Sequence, residues 1–366
     1  MMGAGVINLL LFLSSVSLLA LMAGVAKKLV RGRNERKIPR ELDLVGEKVE
    51  RIIPLPPGEF EAALEGYALD AAYIKHGRLA ALDEYLLGVM EQPPEAYADR
   101  YVAIARRMGF YGSALAQIRS RNPLISSLGS RRAGLYRFEE AAEDMVAALD
   151  AFSSENQFDI LMGLARMGNA GAMRQAFQKI KNSVFINERS IIEILSVFPA
   201  GAEKTALFRD MILGDTGYIT SLFLKAADRE MAASLPEEIT AALGNGNKEL
   251  RAAAIRCLST MGEGAPVGVL VNAMQDKSWE IRALAAKALG SITEKESSMA
   301  LFAALSDQQW WVRQNAAMSL MRHPGYEKLF ILIAESGDEY SRDSIIYALE
   351  NGGSPILLRS IKVLAG

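Results

Sequence analysis

Apolar residues recur at three- and four-residue spacings along most of the chain beyond residue 57, and strand-like alternation is absent. Two early stretches of this kind, 59–75 and 78–91, are separated by a short polar break. The pair Pro93-Pro94 closes them into a hairpin, because proline interrupts a helix. The pattern predicts an all-α protein in which residues 58–98 form an acidic helical hairpin.

The first 26 residues contain no charged side chain. As a helix, residues 3–26 would be about 36 Å long, which exceeds the roughly 30 Å of a hydrocarbon core. A cleavable signal peptide is the alternative, but its positive charge would precede the apolar run, whereas here it follows. Residues 1–26 are therefore predicted to be a retained transmembrane helix.

The flank after this helix is strongly basic. Residues 27–40 carry seven basic side chains and one acidic side chain. The positive-inside rule keeps such a flank in the cytoplasm. We therefore expect a single-pass protein of the inner (cytoplasmic) membrane whose bulk faces the cytoplasm. Residues 27–57 are interpreted as a basic juxtamembrane segment and a linker that ends in the proline-rich stretch 54–57.

An internal repeat is the most specific signal. The segments N245GNKELRAAAIRCL258, D276KSWEIRALAAKAL289 and D307QQWWVRQNAAMSL320 are offset by 31 residues each time. The positions in register are Leu250, Ile281 and Val312; Arg251, Arg282 and Arg313; Ala254, Ala285 and Ala316; and Leu258, Leu289 and Leu320. A looser fourth copy places Arg342 and Leu349 29 residues after their counterparts.

This repeat resembles the HEAT-repeat family in its short bacterial, phycobilisome-lyase-type form, with an Asp-x4-hydrophobic-Arg-x2-Ala pattern. The resemblance implies a right-handed α-solenoid of helical hairpins that bury their apolar faces only by stacking. It also implies that the aspartates and arginines of the pattern link neighbouring repeats as a polar ladder. The ladder residues implied in this way are Arg251, Asp276, Arg282, Asp307 and Arg313.

The same period continues upstream more faintly, for example at Leu149, Ile180 and Met211. We therefore predict divergent repeats with an arginine-rich start over 99–235 and clear repeats over 236–366. Seven or eight helical pairs are expected across 59–366, with the segment from residue 356 capping the open end.

Composition argues against an enzyme. The single cysteine, Cys257, lies on the apolar side of a repeat helix, and the two histidines are at helix ends, where capping or solvation is expected. No Walker, HExxH, CxxC or GxSxG motif is present. The sequence therefore predicts no catalytic residues, no metal site and no cofactor.

The net charge of −2 conceals blocks of one sign. Residues 41–99 hold thirteen acidic and four basic side chains, whereas 100–137 hold eight arginines and no acidic residue. Two interpretations of the arginines stay open: they neutralise the acidic block within the fold, or they bind an acidic partner or anionic lipid headgroups. The candidates for binding are Arg106, Arg107, Arg119, Arg121, Arg131, Arg132 and Arg137.

Two adjacent tryptophans stand out in the third repeat copy. Trp310 is in register with Trp279, which suggests packing. Trp311 is instead in register with Glu249 and Glu280, at a position expected to face solvent. It is therefore a candidate binding anchor, unless it folds over the neighbouring repeat.

Together these features predict a membrane-tethered cytoplasmic scaffold that binds a protein partner, conceivably an envelope-polysaccharide or other membrane enzyme complex. The alternative from the resemblance is an enzyme or chaperone of the phycobilin-lyase type, for which a membrane anchor is out of place. Nucleic-acid binding through the arginines is disfavoured by the acidic remainder of the chain. The oligomeric state is left open.

Overall fold

The computed structural model describes residues 41–72, 76–151, 154–180, 187–214, 217–336 and 338–365. Regular structure in these ranges is entirely helical, so the prediction of an all-α chain is confirmed there. The predicted anchor over 1–26 and the basic residues 27–40 lie outside the described residues. Within the described ranges, no helix combines the length and apolar character needed to cross a bilayer.

The chain divides after Ala141 into two compact units. The described part of the first unit contains α1 (41–52), α2 (Pro57–Ala72), α3 (His76–Glu91), α4 (Ala98–Arg107), α5 (Phe110–Ile118) and α6 (Pro123–Leu135). Helices α2 and α3 correspond to the hairpin predicted over 58–98.

Helix α1 departs from the linker predicted over 27–57. Its apolar side chains Val45, Val49 and Ile53 follow i, i+4, i+8 spacing and are buried in the unit. The density of charged residues around them masks this spacing in the sequence. The prolines that follow α1 separate it from α2 rather than end an extended linker.

Glu50 fastens α1 to the rest of the first unit. Its Oε1 accepts hydrogen bonds from the hydroxyl groups of Tyr85, at 2.5 Å, and Tyr101, at 2.9 Å. Burial raises the pKa of both phenols, and the Glu50 carboxylate raises it further. Arg100 donates to the Leu55 carbonyl, at 2.5 Å, just beyond the end of α1. Hydrogen bonds to the Glu50 side chain and to a backbone carbonyl just after the helix thus hold α1 against the rest of the first unit.

Helices α5 and α6 pack unusually closely. A Cβ placed on Gly129 would lie 2.7 Å from the backbone nitrogen of Ile118 and 2.8 Å from the carbonyl oxygen of Ala114. Ser126 Oγ donates to the Ile118 carbonyl at 2.9 Å, so the contact is also hydrogen-bonded. Because backbone atoms cannot move aside as a side chain can, position 129 requires glycine.

The second unit is a stack of helical pairs. Its helices are α7 (Ala142–Ala148), α8 (Ser154–Met167), α9 (Ala170–Ile180), α10 (Glu188–Ser196), α11 (Ala202–Leu213), α12 (Tyr218–Ala226), α13 (Arg229–Ser234), α14 (Pro236–Ala242), α15 (Lys248–Ser259), α16 (Val267–Ala273), α17 (Trp279–Leu289), α18 (Lys295–Ala303), α19 (Trp310–Leu320), α20 (Tyr326–Ser336), α21 (Glu339–Glu350) and α22 (Pro355–Ala365). Seven consecutive pairs can be followed within its described residues, with α13 as an extra helix, and α22 packs on α20 and α21 at the end.

The second helices of successive pairs form one layer, in which α8, α10, α12, α15, α17, α19 and α21 pack side by side in that order. The alanines in register, Ala254, Ala285 and Ala316, are fully buried between them, as are Leu258, Leu289 and Leu320. The fainter upstream positions Leu149, Ile180 and Met211 are also buried. Small residues permit close helix contact, and the leucines fill the continuous core of the stack.

Candidate interaction surfaces

Two bidentate ion pairs join neighbouring repeats of the second unit. Arg251 donates to both carboxylate oxygens of Asp276 at 2.8 and 3.1 Å, and Arg282 does the same to Asp307 at 2.7 and 2.9 Å. Each arginine also donates to backbone carbonyls that precede its own helix; for Arg282 this is the Asp276 carbonyl at 2.9 Å. The ladder implied by the family resemblance is therefore present at these two steps.

The ladder aspartates also order the turn before each helix. Asp276 accepts from the Ser278 N–H and Asp307 from the Gln309 N–H, each at 2.8 Å. Burial tends to raise the pKa of each carboxyl group, but hydrogen bonds from the arginine and the backbone outweigh it. The pKa of Asp276 and that of Asp307 consequently lie below their ordinary value. The ionised form is the one that the fold stabilises.

The third step of the ladder is different. Arg313 donates to the carbonyls of Asp307 and Gln308, at 2.7 and 3.2 Å, but no carboxylate pairs with it among the described residues. Its Nε is buried without a hydrogen-bond acceptor, and its guanidinium lies 5.0 Å from the ring centroid of Tyr340. Asp338 stands where the next ladder carboxylate is expected, but it caps α21 by accepting from Ser341 at 3.0 Å.

Beyond this step, the second-helix layer exposes a cluster of large apolar side chains, here called the aromatic surface. Its members, with their exposed fractions, are Trp310 (38%), Trp311 (55%), Met318 (36%), Tyr340 (64%) and Tyr347 (43%). The Trp310 ring makes edge contacts with Trp311 and Tyr347, at centroid distances of 4.6 and 5.6 Å. A contiguous group of exposed rings is far less usual than a single exposed apolar residue.

Sequence reasoning found only part of this surface. Trp311 is exposed, and Trp310, which was expected to pack, is itself partly exposed while touching Tyr347. Tyr340 and Tyr347 were missed. They stand 29 residues after Trp311 and Met318, so the 29-residue offset of the fourth copy would have placed them in register.

Three arginines of the 100–137 segment have acidic partners within the first unit. Arg106 forms a bidentate pair with Glu140, at 2.9 Å for both bonds. Arg131 pairs with Glu91 at 2.7 Å, and Arg132 pairs with Asp83. The ion pair to Glu91 and the one to Asp83 link α6 to the acidic helix α3. Together with Gln117, Leu128 and Leu135, these residues line a groove of about 630 Å³.

Apart from Arg100, which bonds to the Leu55 carbonyl, the other four arginines of the segment lie at the two ends of the α5–α6 hairpin. Arg107 and Arg137 lie near one end of the α5–α6 hairpin, and Arg119 and Arg121 lie at its turn; all four are exposed. At 1.5 Å per residue, the nine residues of α5 separate these ends by about 13 Å. Whether these four arginines bind an acidic partner or anionic lipid headgroups stays a prediction.

Two residues of the second unit that could act as a nucleophile and a base, Cys257 and His323, are both buried in the packing of the helices. Cys257 is buried, and this burial raises the pKa of its thiol to about 12. His323, expected to be capping or solvated, is buried: its Nδ1 lies 2.8 Å from Ser298 Oγ and its Nε2 3.1 Å from the Leu289 carbonyl at the end of α17. It thus caps the preceding repeat. In the described part of the chain, no group of His, Cys, Asp or Glu side chains is placed to hold a metal ion.

Comparison with known proteins identifies HEAT repeats in the second unit, at residues 236–321 and 269–350. No curated protein matches the chain. Similar solved structures include an engineered protein (15% identity, 79% of this chain and 88% of that one, TM-score 0.35), human deoxyhypusine hydroxylase in complex with glycerol (17%, 79% and 97%, 0.29) and the complex of CpcE and CpcF of phycocyanin lyase from Nostoc sp. PCC7120 (16%, 70% and 93%, 0.26). Identities and TM-scores this low carry no information on function.

Proposed function

We propose that this protein is a membrane-tethered scaffold whose helical repeats bind a protein partner at the cytoplasmic side of the membrane. The aromatic surface on α19 and α21 carries the proposal. Tryptophan and tyrosine are the side chains on which protein interfaces most often depend, because they bury a large area at a small cost in conformational entropy. In this surface they are already held by their mutual ring contacts.

The repeats beneath this surface make it a firm platform. The bidentate pairs of Arg251 and Arg282 and the fully buried alanines fix each second helix against the next. A site built on packed helices loses little freedom when a partner binds. This supports a helical solenoid used for recognition; its right-handed sense is what the family resemblance implies, and the proposal assigns it no catalytic step. It also fits Cys257 and His323, which are both buried in packing roles.

The tether is inferred from the sequence of the first 40 residues. The uncharged run over 1–26 is long enough to span a bilayer, and the seven basic residues after it favour a cytoplasmic solenoid. The proposed partner is accordingly a membrane-associated protein, for example an enzyme complex assembled beside the anchor.

The binding half of the proposal is tested by photo-cross-linking in intact membranes. A photoreactive residue replaces Asn315, which lies on α19 between Trp311 and Met318, and a matched one replaces Met299 on α18. We expect a discrete protein adduct from position 315 alone. The adduct should fall at least fivefold in the pair Trp311→Ala and Tyr347→Ala, and persist in Tyr218→Ala, which removes an exposed ring (54%) from α12. No adduct, or an adduct unaffected by the aromatic substitutions, refutes binding at this surface.

The tether and its direction are tested separately. Cys257 is the single cysteine of the sequence and is buried, so labelling of a cysteine placed at the exposed Met299 can be distinguished from it. We expect a membrane-impermeant maleimide to label Met299→Cys only after the cells are permeabilised, and the protein to stay with the membrane after carbonate extraction. Labelling in intact cells would show that the proposed orientation is wrong. Release of the protein by carbonate would show that residues 1–26 do not anchor it in the membrane.

A further inference from the structure

The aromatic surface contains carboxylates as well as rings. On α21, Tyr340, Asp343 and Tyr347 are spaced i, i+3, i+7 and are all exposed, so they lie along one face of the helix. Glu339, beside Tyr340 in sequence, is exposed as well. Neither Asp343 nor Glu339 has an ion-pair partner among the described residues. The rings therefore surround a region of uncompensated negative charge.

The exposed cations nearest this surface lie at its borders, whereas Asp343 and Glu339 lie in the first half of α21. Arg322 is exposed one turn beyond Met318, at the C-terminal end of α19, and Lys287 is exposed on α17. Arg313 is buried and covered by the Tyr340 ring. Lys362 pairs with Glu350 of α21 at 2.6 Å, and Lys248, two repeats before the surface, pairs with Glu280 at 2.7 Å. Arg342, on the same helix as Asp343, is partly buried, and its Nε is fully buried. The exposed face of α21 is thus aromatic and carries Asp343 and Glu339, for which the described residues supply no ion-pair partner.

We propose that the aromatic surface recognises a basic segment of a protein partner, one in which arginine or lysine alternates with aliphatic residues. This rests on the proposed function and specifies the chemistry of the partner. A guanidinium or ammonium group is attracted to the faces of tyrosine and tryptophan rings, and a nearby carboxylate adds a charge-assisted hydrogen bond. The aliphatic residues of the segment would cover Met318 and the ring edges.

Two other occupants are less consistent with these charges. An acidic segment would place its carboxylates against Asp343 and Glu339 on α21, while the exposed cations Arg322 and Lys287 lie on α19 and α17. A second copy of the chain, docked through the same surface about a two-fold axis, would bury Asp343 and Glu339 of both copies in one interface. Both arrangements bring like charges together in a partly desolvated contact.

The test measures peptide binding to the full-length protein in nanodiscs by fluorescence anisotropy. The probe is a labelled twelve-residue peptide of alternating arginine and leucine, compared with the same peptide carrying glutamate or glutamine at the arginine positions. The protein variants are Asp343→Asn with Glu339→Gln, Trp311→Ala with Tyr347→Ala, and the control Glu249→Gln. Glu249 is an exposed carboxylate at the register position of Trp311, two repeats away from the surface.

We expect saturable binding of the arginine peptide that weakens about tenfold when both carboxylates are neutralised. Removing two rings should weaken it by at least as much, and Glu249→Gln should leave it unchanged. Affinity should fall as salt rises. Equal binding of the glutamine peptide, tighter binding of the glutamate peptide, or no effect of the carboxylate substitutions overturns the inference.

The same variants separate this inference from the proposed function. The cross-link at position 315 could be lost when Trp311 and Tyr347 are replaced and yet be unaffected when Asp343 and Glu339 are neutralised. That result would support the scaffold function and refute the inference that the partner segment is basic. If the adduct mapped at position 315 is a second copy of this chain, the inference is likewise overturned. If neither pair of substitutions affects the cross-link or peptide binding, both proposals fail.

Discussion

Replacing Asp307 with asparagine should destabilise the last repeats markedly, because it removes the charge from a mostly buried bidentate pair. Only 17% of the Arg282 side chain and 14% of the Asp307 side chain are exposed. Loss of one partner from a fully buried pair costs about 3–5 kcal/mol, and loss of an exposed pair costs less than about 1 kcal/mol. Asparagine keeps one acceptor oxygen for Arg282 and the Gln309 N–H, so we expect about 2 kcal/mol.

The measurement is urea unfolding of the full-length protein, followed by tryptophan fluorescence. The signal comes from the last repeats, because all three tryptophans of the chain stand at the starts of α17 and α19. Asp276→Asn should behave like Asp307→Asn. Asp338→Ala, which removes the cap of α21 and the hydrogen bond from Ser306, should cost about 1 kcal/mol. The exposed Asp343→Asn should stay within about 0.5 kcal/mol of the parent.

The pH dependence gives an independent check. The folded pKa values of Asp276 and Asp307 lie below the ordinary value of 3.8. A depressed folded pKa means that the ladder's stabilisation is complete above about pH 5 and is lost as the pH falls through the folded value. The free energy of unfolding should therefore differ less between pH 7 and pH 3 in Asp307→Asn than in the parent protein. Unfolding curves for Asp307→Asn that match those for Asp343→Asn at both pH values would refute the ladder's role.

Three further outcomes follow from the packing. Gly129→Ala should destabilise the first unit by about 3 kcal/mol in thermal unfolding, because its Cβ meets backbone atoms, whereas Gly112→Ala in α5 should stabilise it by up to about 1 kcal/mol. Glu50→Gln should increase hydrogen exchange across α1, with the exposed Glu47→Gln as the control; unchanged exchange would show that α1 is held by its apolar face alone. Cys257 should react with a thiol reagent only after urea unfolding, and fast reaction of the native protein would contradict its burial.

The repeat positions could be predicted from the sequence because each is fixed by contacts that recur with the period. Ala285 meets the same kind of neighbour as Ala254 and Ala316, so three copies of one pattern identify the buried face. Helix α1 shows the opposite case. Val45 and Val49 carry an ordinary helical spacing, but a single short helix beside a proline run offers no second copy against which to recognise it.

Contacts between residues that are far apart in the sequence could not be predicted from it. His323 is buried because a backbone carbonyl 34 residues earlier faces it, and a carbonyl has no sequence signal. The charge blocks indicated that the arginines of 100–137 could neutralise acidic residues, but not that Arg131 and Arg132 do so while Arg121 stays exposed. The net charge of a sequence segment does not show on which side of a helix each charged residue lies.

The aromatic surface and the end of the ladder have one origin. Asp276 and Asp307 each precede their repeat arginine by six residues, whereas Asp338 precedes Arg342 by four. In the first two cases the aspartate sits before the helix cap and is free to reach the arginine of the preceding repeat. With two residues fewer, Asp338 becomes the cap itself and bonds to Ser341, so its carboxylate is withdrawn from the position that a ladder aspartate occupies.

The same shortening brings Tyr340 to the position opposite Arg313. The Tyr340 ring lies 5.0 Å from the guanidinium of Arg313, which has no carboxylate partner among the described residues, and 64% of Tyr340 stays exposed. A repeat that kept the six-residue spacing would instead place an aspartate here, and its carboxylate would pair with Arg313. The departure from the repeat therefore exchanges a stabilising ion pair for an exposed aromatic face, which is the kind of local sacrifice expected where a surface is used for binding.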